Sequence, residues 1–194
     1  ILALRLYQIE ADELYLNTSH ETLKWMREHL VNPETKFVED GINRNGDGKV
    51  DVQWQFTYNQ GVYIGALIEF FHVTKDPTYL EEALRCAKTS IETIGASGVF
   101  DDQGDGGDIG LFKGIEYRYL KLLFEKAQQF GLDASFIKYF VISSCELLLQ
   151  HSTKEHHLLT YRDWLVEELP ESVYLSDQLS GVMALEAAAA LEKF

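Results

Sequence analysis

Two kinds of helical segment alternate along this chain, and this alternation constrains its fold more than any other feature. Segments of the first kind are apolar on nearly every side, which is typical of helices buried in a core; they cover residues 1–9, 61–71, 111–124 and 181–191. Segments of the second kind are amphipathic, with apolar residues at helical spacing; they lie around residues 12–30, 77–94 and 135–150. The sequence therefore predicts an all-α fold in which four inner helices alternate with three outer ones.

A weak internal repeat supports this order. Its offset is 64 residues, and the matched positions are Leu4 with Ile68, Tyr7 with Phe71, Asp12 with Asp76 and Tyr15–Leu16 with Tyr79–Leu80. Repeats of this length, each built from one inner and one outer helix, indicate a helical toroid or solenoid rather than a four-helix bundle. A closed (α/α)6 toroid has twelve helices in six hairpins, so the sequence predicts an incomplete toroid that lacks about five.

The chain begins within one of the apolar patterns. The segment ILALRLYQIE has no polar lead-in and no capping residue before its first apolar positions. We therefore predict that residues 1–194 form a single domain, the C-terminal part of a longer toroid without its N-terminal helices. An open half-toroid leaves apolar helix flanks uncovered, which predicts self-association, additional N-terminal residues, or an origin by proteolysis of a longer chain.

Charge and cysteine content exclude several function classes. The net charge of −14 repels phosphate backbones and anionic lipids, so neither nucleic acid nor a membrane is an expected partner. No apolar run approaches the roughly 20 residues that a bilayer requires. Cys86 and Cys145 lie in helical patterns without a metal-binding spacing, so they are predicted to be buried thiols. A neutral or cationic ligand is the better fit.

Polar clusters precede three of the inner segments. Inner helices that lie side by side bring the loops before them to one face of a toroid, where they form a cleft with hydrogen-bonding and aromatic walls. A sugar suits such walls, because its hydroxyls pair with amides and carboxylates while its C–H patches pack on Tyr and Trp faces. The pattern therefore predicts a saccharide-binding cleft.

The first cluster covers residues 40–54 and continues into FTYNQ. Asn59 and Gln60 fit either helix capping or ligand contact, and the neighbouring Tyr58 and Trp54 favour ligand contact.

The segment NRNGDGKVD within this cluster resembles part of a calcium-binding loop. It offers alternate oxygen ligands and a turn glycine, at Asn43, Asn45, Asp47, Gly48 and Asp51. Trp54 occupies the position at which the bidentate carboxylate belongs, which favours a solvated turn instead. The predicted chemistry requires no cofactor, and calcium is the alternative that the sequence leaves open.

The second and third clusters are acidic. Four aspartates share a glycine-rich loop before a helix that carries Lys113, Glu116 and Arg118; they are Asp101, Asp102, Asp105 and Asp108. Charged groups on a buried helix need partners, so a network of Asp108 with Lys113 or Arg118 is expected, in either a structural or a catalytic role. The third cluster, residues 161–181, covers the cleft or closes the ring and contains Trp164, Pro170 and Asp177. His156 and His157 are interpreted as surface residues.

At these motifs the sequence resembles a known family. FTYNQGVYIGAL, the Thr-Lys-Asp-Pro turn with YLEEA, the acidic glycine loop and GLFKGIEYRYL resemble glycoside hydrolase family 76, endo-acting α-1,6-mannanases with an (α/α)6 toroid. The resemblance is specific at TYNQG and FKG. It implies a mannan-binding groove lined by the loops before the inner helices, and retaining hydrolysis by two carboxyl groups.

The resemblance also places the functional residues. In the family, an adjacent aspartate pair lies well before TYNQG, in a segment that this sequence lacks; Asp101–Asp102 follow TYNQG and do not match that pair, so no catalytic residue is predicted in this chain. The positions that match the groove are Asp40, Tyr58, Asn59 and Gln60, and less closely Asp108 and Lys113; no metal ligand is predicted. Glu116 departs from the family pattern, which has an apolar or aromatic residue there.

Two alternatives stay open at this point. One is a non-catalytic carbohydrate-binding helical module, and the other is a different (α/α)6 enzyme, such as a sugar epimerase or an unsaturated-glycoside hydrolase. The TYNQG and FKG motifs argue against the second. The sequence leaves the cellular location, the linkage and the chain-length preference undecided.

Overall fold

The chain folds into seven α-helices within the residues that the computed structural model describes, which are 1–102, 107–154, 157–168 and 171–194. The helices are α1 (Leu2–Glu10), α2 (Glu13–His29), α3 (Thr57–Thr74), α4 (Thr78–Thr93), α5 (Ile109–Gln129), α6 (Ser135–Ser152) and α7 (Leu175–Leu191). A hairpin of two-residue strands, β1 (Thr153–Lys154) and β2 (His157–Leu158), was not predicted. Asp105, His156 and Pro170, which the sequence singled out, lie outside the described residues.

The odd-numbered helices form the inner layer. α3 packs between α1 and α5, and α7 packs against the other side of α5. Behind this row α2 contacts α1, α4 contacts α3 and α5, and α6 contacts α5 and α7. The prediction of an all-α toroid of alternating inner and outer helices is confirmed, with four inner and three outer helices in the described part of the chain.

The predicted 64-residue repeat corresponds to a repeated helix boundary. The C-cap residues of α1 and α3 are Ala11 and Lys75, which lie 64 residues apart and both adopt the left-handed conformation. Asp12 and Asp76 follow, and each carboxylate accepts a hydrogen bond of 2.9 Å from the backbone N–H two residues later. These bonds satisfy a free N–H at the start of the outer helix. The repeat thus encodes the turn from an inner helix to an outer one.

The inner helices differ in how completely they are buried. Eleven residues of α3 are buried, whereas Leu4 is the buried residue of α1, and Leu2 and Ile9 are 71% and 78% exposed. The difference arises because α3 has an inner neighbour on each side, while α1 packs mainly against α2 and α3. The predicted self-association of the chain stays a prediction.

Two glycines set the spacing of the inner helices. A Cβ atom at Gly61 would lie 2.7 Å from the Cα of Glu116, and one at Gly114 would lie 2.8 Å from the Cα of Ser180. Both distances are below van der Waals contact, so the absence of a side chain lets α3 and α7 approach α5 closely. This packing brings the N-terminal ends of the three helices together.

Within the described ranges, none of the helices is long and apolar enough to cross a membrane.

Candidate functional site

The candidate site lies where the loop of residues 30–56 meets the N-terminal ends of α3 and α5. Two isolated β-bridges shape this loop, Val31 with Val38 and Ile42 with Val50. Asp40 lies between the two bridges, and its side chain is only 8% exposed. The loop therefore holds this carboxylate in a fixed position above the first turn of α3.

Asp40 connects the polar side chains of this region. One carboxylate oxygen accepts hydrogen bonds from the Tyr58 hydroxyl at 2.9 Å and from the Asn59 side-chain amide at 3.2 Å. The other oxygen pairs with the guanidinium of Arg44. Tyr58 and Asn59 are both half-buried. The arrangement holds a carboxylate, an amide and a phenol within reach of one ligand.

Aromatic rings lie beside these polar groups. The Phe112 ring centroid is 4.4 Å from that of Tyr58 and 5.4 Å from that of Phe56. Trp54 is 40% exposed, and the Arg44 guanidinium lies 4.5 Å from its ring centroid. Aromatic faces next to fixed hydrogen-bonding groups are the composition expected of a sugar site.

Asp108 belongs to the same face. It is the exposed N-cap residue of α5, and its charge contributes to the environment of Tyr58. Burial, the hydrogen bond to Asp40 and the negative charges of Asp40 and Asp108 raise the pKa of Tyr58 to about 12. The phenol therefore stays protonated at neutral pH and acts as a donor. We call Asp40, Tyr58, Asn59 and Asp108 the rim cluster.

Gln60 occupies a different environment from the rim cluster. Its side chain is fully buried. Its carbonyl accepts a hydrogen bond from the Val38 N–H at 2.9 Å, and its amide donates to the carbonyls of Val38 at 2.7 Å and Phe56 at 3.2 Å. These bonds fasten the loop to α3. This burial favours a structural role for Gln60 over the predicted contact with substrate.

Lys113 is likewise buried rather than at the surface, with 1% exposure. Its ammonium donates to the carbonyls of Phe100 at 2.9 Å and Arg162 at 2.5 Å. It lies 5.1 Å from the Trp164 ring centroid. Burial lowers the pKa of Lys113, and the nearby charge of Asp102 opposes this shift. This burial favours a structural role for Lys113 over the predicted contact with substrate. The carboxylate that most affects its pKa is that of Asp102 rather than the predicted partner Asp108.

Asp102 caps α3 from the next loop. Its carboxylate accepts hydrogen bonds from the Thr57 N–H at 2.7 Å and from the Thr57 hydroxyl at 2.8 and 2.9 Å. The side chain is 2% exposed, and burial raises its pKa, while the Thr57 N–H and Lys113 oppose the rise. The capping proposed for Asn59 or Gln60 is thus performed by Asp102. We refer to Gln60, Asp102 and Lys113 as the buried polar layer.

The loop that resembles a calcium site is stabilised by its own hydrogen bonds. The Asn43 side-chain oxygen accepts from the Gly48 N–H at 2.8 Å, and an Asp47 oxygen accepts from the Lys49 N–H at 3.1 Å. Among the described residues, no group of three or more His, Cys, Asp or Glu side chains is arranged to hold a metal ion. Calcium binding by this loop stays a prediction.

Two residues of the site were missed by the sequence analysis. Arg44 lies four positions after Asp40, and Phe112 directly precedes Lys113 in the FKG motif. The sequence carries a signal for each of them. Arg44 has the charge opposite to that of Asp40 at a short spacing, and Phe112 is an aromatic residue within a recognised motif. Neither signal gives the direction of the side chain.

Comparison with known proteins identifies the family. A sequence profile of Glycosyl hydrolase family 76 matches residues 1–193. The chain belongs to this family. The predicted resemblance is therefore confirmed. No curated protein sequence matches the chain.

Solved structures agree with family 76. The Lin0763 protein from Listeria innocua is 41% identical with a TM-score of 0.89, over 99% of this chain and 53% of that one. The α-1,6-mannanase from Salegentibacter sp. HEL1_6 is 35% identical with a TM-score of 0.84, over 97% of this chain and 56% of that one. An inactive variant of the mannanase with two consecutive aspartates replaced, in complex with α-1,6-mannotetraose, gives the same identity, score and coverage. This chain thus spans about half the length of these proteins.

Proposed function

We propose that this chain forms one wall of the substrate groove of an α-1,6-mannanase and that the rim cluster binds a mannosyl unit there. The observation that carries this proposal is the Asp40 carboxylate, which holds Tyr58 and Asn59 at the N-terminal end of an inner helix. Membership of family 76 and the similarity to a mannanase support a glycoside hydrolase-like function.

The rim cluster provides what a mannose ring requires. Carboxylates accept hydrogen bonds from sugar hydroxyls, and the Asn59 amide both donates and accepts. The Tyr58 and Phe112 rings lie 4.4 Å apart and supply apolar faces for the C–H groups of the sugar. The net charge of −14 is compatible with a neutral saccharide.

The hydrolytic step is assigned to residues outside this chain. Retaining hydrolysis needs two carboxyl groups about 5 to 5.5 Å apart, one ionised for attack and one protonated for the leaving group. Asp102 is buried and engaged by Thr57, so it does not serve in such a pair with Asp101. We infer that the parent protein is a retaining glycosidase with its aspartate pair in an N-terminal part, and that this chain alone binds but does not hydrolyse mannan.

Calorimetric titration of the purified chain with α-1,6-mannotetraose tests the binding step. Asp40→Asn is expected to weaken binding about tenfold or more, because the site loses a charged acceptor. The matched control is Asp47→Asn, which removes the same charge from an exposed position of the same loop and is expected to leave the affinity unchanged. Equal losses in both variants would indicate a general charge effect and contradict the proposal.

Product analysis with α-1,6-mannan tests the catalytic assignment. We expect no released oligosaccharide from the 194-residue chain, and release from a longer parent that contains the aspartate pair. Hydrolysis by the short chain would contradict the assignment. A parent that binds mannan without cleaving it would instead support the alternative of a non-catalytic carbohydrate-binding module.

A further inference from the structure

Arg44 lies between two carboxylates in the loop before α3. Its guanidinium pairs with Asp40, and its Nε atom lies 3.6 Å from a carboxylate oxygen of Asp51. The side chains of Asp40 and Asp51 are only 8% and 6% exposed, so little water is available to screen either charge. In the described part of the chain, Arg44 is the one cation within ion-pair distance of either carboxylate. It therefore neutralises one charge of the rim cluster and one charge outside it.

The fold of the loop brings the two carboxylates to adjoining positions. The Asp51 N–H donates a hydrogen bond of 2.9 Å to the Gly41 carbonyl, and the Asn43 N–H donates one of 2.7 Å to the Lys49 carbonyl. A Cβ atom at Gly41 would lie 3.1 Å from an Asp51 carboxylate oxygen. Asp51 thus packs against the residue that directly follows Asp40. Two nearly buried negative charges so placed repel each other unless a cation lies between them.

An aromatic ring helps to fix the guanidinium in this position. The guanidinium of Arg44 lies 4.5 Å from the Trp54 ring centroid, within the range of a cation–π contact. The Trp54 ring contacts that of Phe56 at 5.7 Å between centroids, and Phe56 directly precedes α3. A guanidinium is planar and donates through several N–H groups in fixed directions. One orientation of Arg44 therefore serves both carboxylates, which a lysine ammonium does less well.

The same loop carries the residues that resemble a calcium site. In a calcium loop, alternate oxygen ligands surround the ion, and Asp51 would be one of these ligands. Here the guanidinium lies beside Asp51, while the Asn43 and Asp47 side-chain oxygens accept hydrogen bonds from the loop backbone. Arg44 thus supplies a positive charge from within the loop, whereas a calcium loop takes that charge from solution.

We propose that Arg44 is a positioning residue: as an internal cation, it orients Asp40 for saccharide binding and offsets the charge of Asp51. This inference rests on the proposed function of the rim cluster. The guanidinium holds one Asp40 oxygen, and the other oxygen accepts from Tyr58 and Asn59. Without the guanidinium, the Asp40 carboxylate loses one of its fixed partners and is repelled by Asp51. The saccharide then loses an acceptor of defined direction.

A double-mutant cycle, measured by calorimetry with α-1,6-mannotetraose, tests this role. Arg44→Gln is expected to weaken binding about tenfold, because Asp40 is no longer held in place. Asp51→Asn alone is expected to change the affinity less than about twofold. Added to Arg44→Gln, it is expected to recover affinity at least about threefold, because the repulsion of Asp40 is removed. A direct contact between Arg44 and the sugar would show no such recovery, and the proposal would then be wrong.

Two further variants guard against other causes of a loss. Arg44→Lys keeps the charge and is expected to bind with an affinity between those of Arg44→Gln and the wild type. Should Arg44→Gln not fold in urea-unfolding controls, the same cycle is run with Arg44→Lys, where a wild-type affinity would contradict the proposal. Lys49→Gln is the matched control, since it removes a positive charge from an exposed position of the same loop and is expected to leave the affinity unchanged.

The remaining outcomes separate this inference from the proposed function. Chelation of calcium is expected to leave the wild-type affinity unchanged, and a loss on chelation would overturn the role of Arg44 as the internal cation. If Arg44→Gln leaves the affinity unchanged while Asp40→Asn weakens it, this inference fails and the rim cluster stands. If the wild-type protein does not bind the saccharide, both fail.

Discussion

The rim cluster and the buried polar layer contain similar side chains in contrasting environments. Asn59 and Gln60 are consecutive residues at the start of α3. Asn59 is half-buried and donates a hydrogen bond to Asp40 in the rim cluster, whereas Gln60 is fully buried and bonds to the backbone of the preceding loop. The same comparison holds on α5, where Asp108 is exposed and Lys113 is buried. Side-chain chemistry alone therefore does not distinguish a ligand-binding group from a structural one.

Helical geometry accounts for the difference. At 3.6 residues per turn, each residue is rotated by about 100° from the one before, so consecutive polar side chains point in different directions. A run such as TYNQ at the start of an inner helix sends some groups to the cleft and others into the protein. The buried groups persist because each one satisfies a backbone polar group that burial would otherwise leave unpaired.

The largest effect is expected at Lys113. Replacement by Met keeps the bulk of the side chain but removes the ammonium, so the carbonyls of Phe100 and Arg162 lose the hydrogen bonds that it donates and Asp102 loses its positive neighbour. Breaking a buried charge network in this way costs about 3–5 kcal/mol. Urea unfolding followed by circular dichroism would measure the loss.

Lys88→Met is the control for Lys113, because the Lys88 side chain is 65% exposed on the outer helix α4 and its loss is expected to change stability by less than about 0.5 kcal/mol. If the Lys113→Met protein were as stable as the wild type but bound mannoside more weakly, Lys113 would be a substrate-binding residue rather than a structural one.

A smaller loss is expected at Gln60. Gln60→Leu retains the approximate volume but removes the partners of the Val38 N–H and of the carbonyls of Val38 and Phe56. Unpaired buried polar groups cost about 1–3 kcal/mol, and saccharide affinity should persist in the folded protein. Asn59→Leu is the matched comparison. It is expected to weaken saccharide binding and to reduce stability less than Gln60→Leu does. If the two variants behaved alike in calorimetry and urea unfolding, the division between rim and buried layer would be incorrect.

The helices were predictable from sequence because their signals are local. Apolar periodicity gave all seven helices, and the repeated aspartates marked the turns after α1 and α3. The motifs also assigned Asp40, Tyr58 and Asn59 to one groove. The hydrogen bonds between them require only that the loop folds back onto the helix that follows it. The β1–β2 hairpin carries no comparable signal, because each strand has only two residues.

Side-chain direction was not predictable. Whether Lys113 faces the cleft or the core depends on where α7 and the segment containing Arg162 and Trp164 pack, which are contacts distant in sequence. The same holds for Phe112, whose ring meets Tyr58 only because α3 and α5 are neighbours. A motif specifies residue types at fixed spacing, and tertiary packing then assigns each residue to a surface.

Glu116 provides a third case, a buried polar group without the partners that Gln60 has. It is fully buried, and within the described ranges neither carboxyl oxygen makes a hydrogen bond of normal geometry, although the Ser90 hydroxyl lies nearby. Burial raises its pKa well above the ordinary value. The folded state therefore favours the protonated form of Glu116. The contribution of this residue to stability is fully present below the pKa that it has in the unfolded chain, and it is lost as pH rises through the pKa that it has in the folded protein.

Glu116→Gln removes this titration and is expected to make stability less dependent on pH. Each pH unit between the unfolded and folded pKa values of one carboxyl costs about 1.4 kcal/mol. As pH rises above the unfolded pKa of a glutamate, the variant should therefore lose less stability than the wild type, measured by urea unfolding at each pH. Glu146→Gln, at an exposed position of α6, controls for the change in net charge. A parallel pH profile for Glu116→Gln and the wild type would mean that the carboxylate is stabilised when folded, and Glu116 would then belong with the satisfied groups of the buried polar layer.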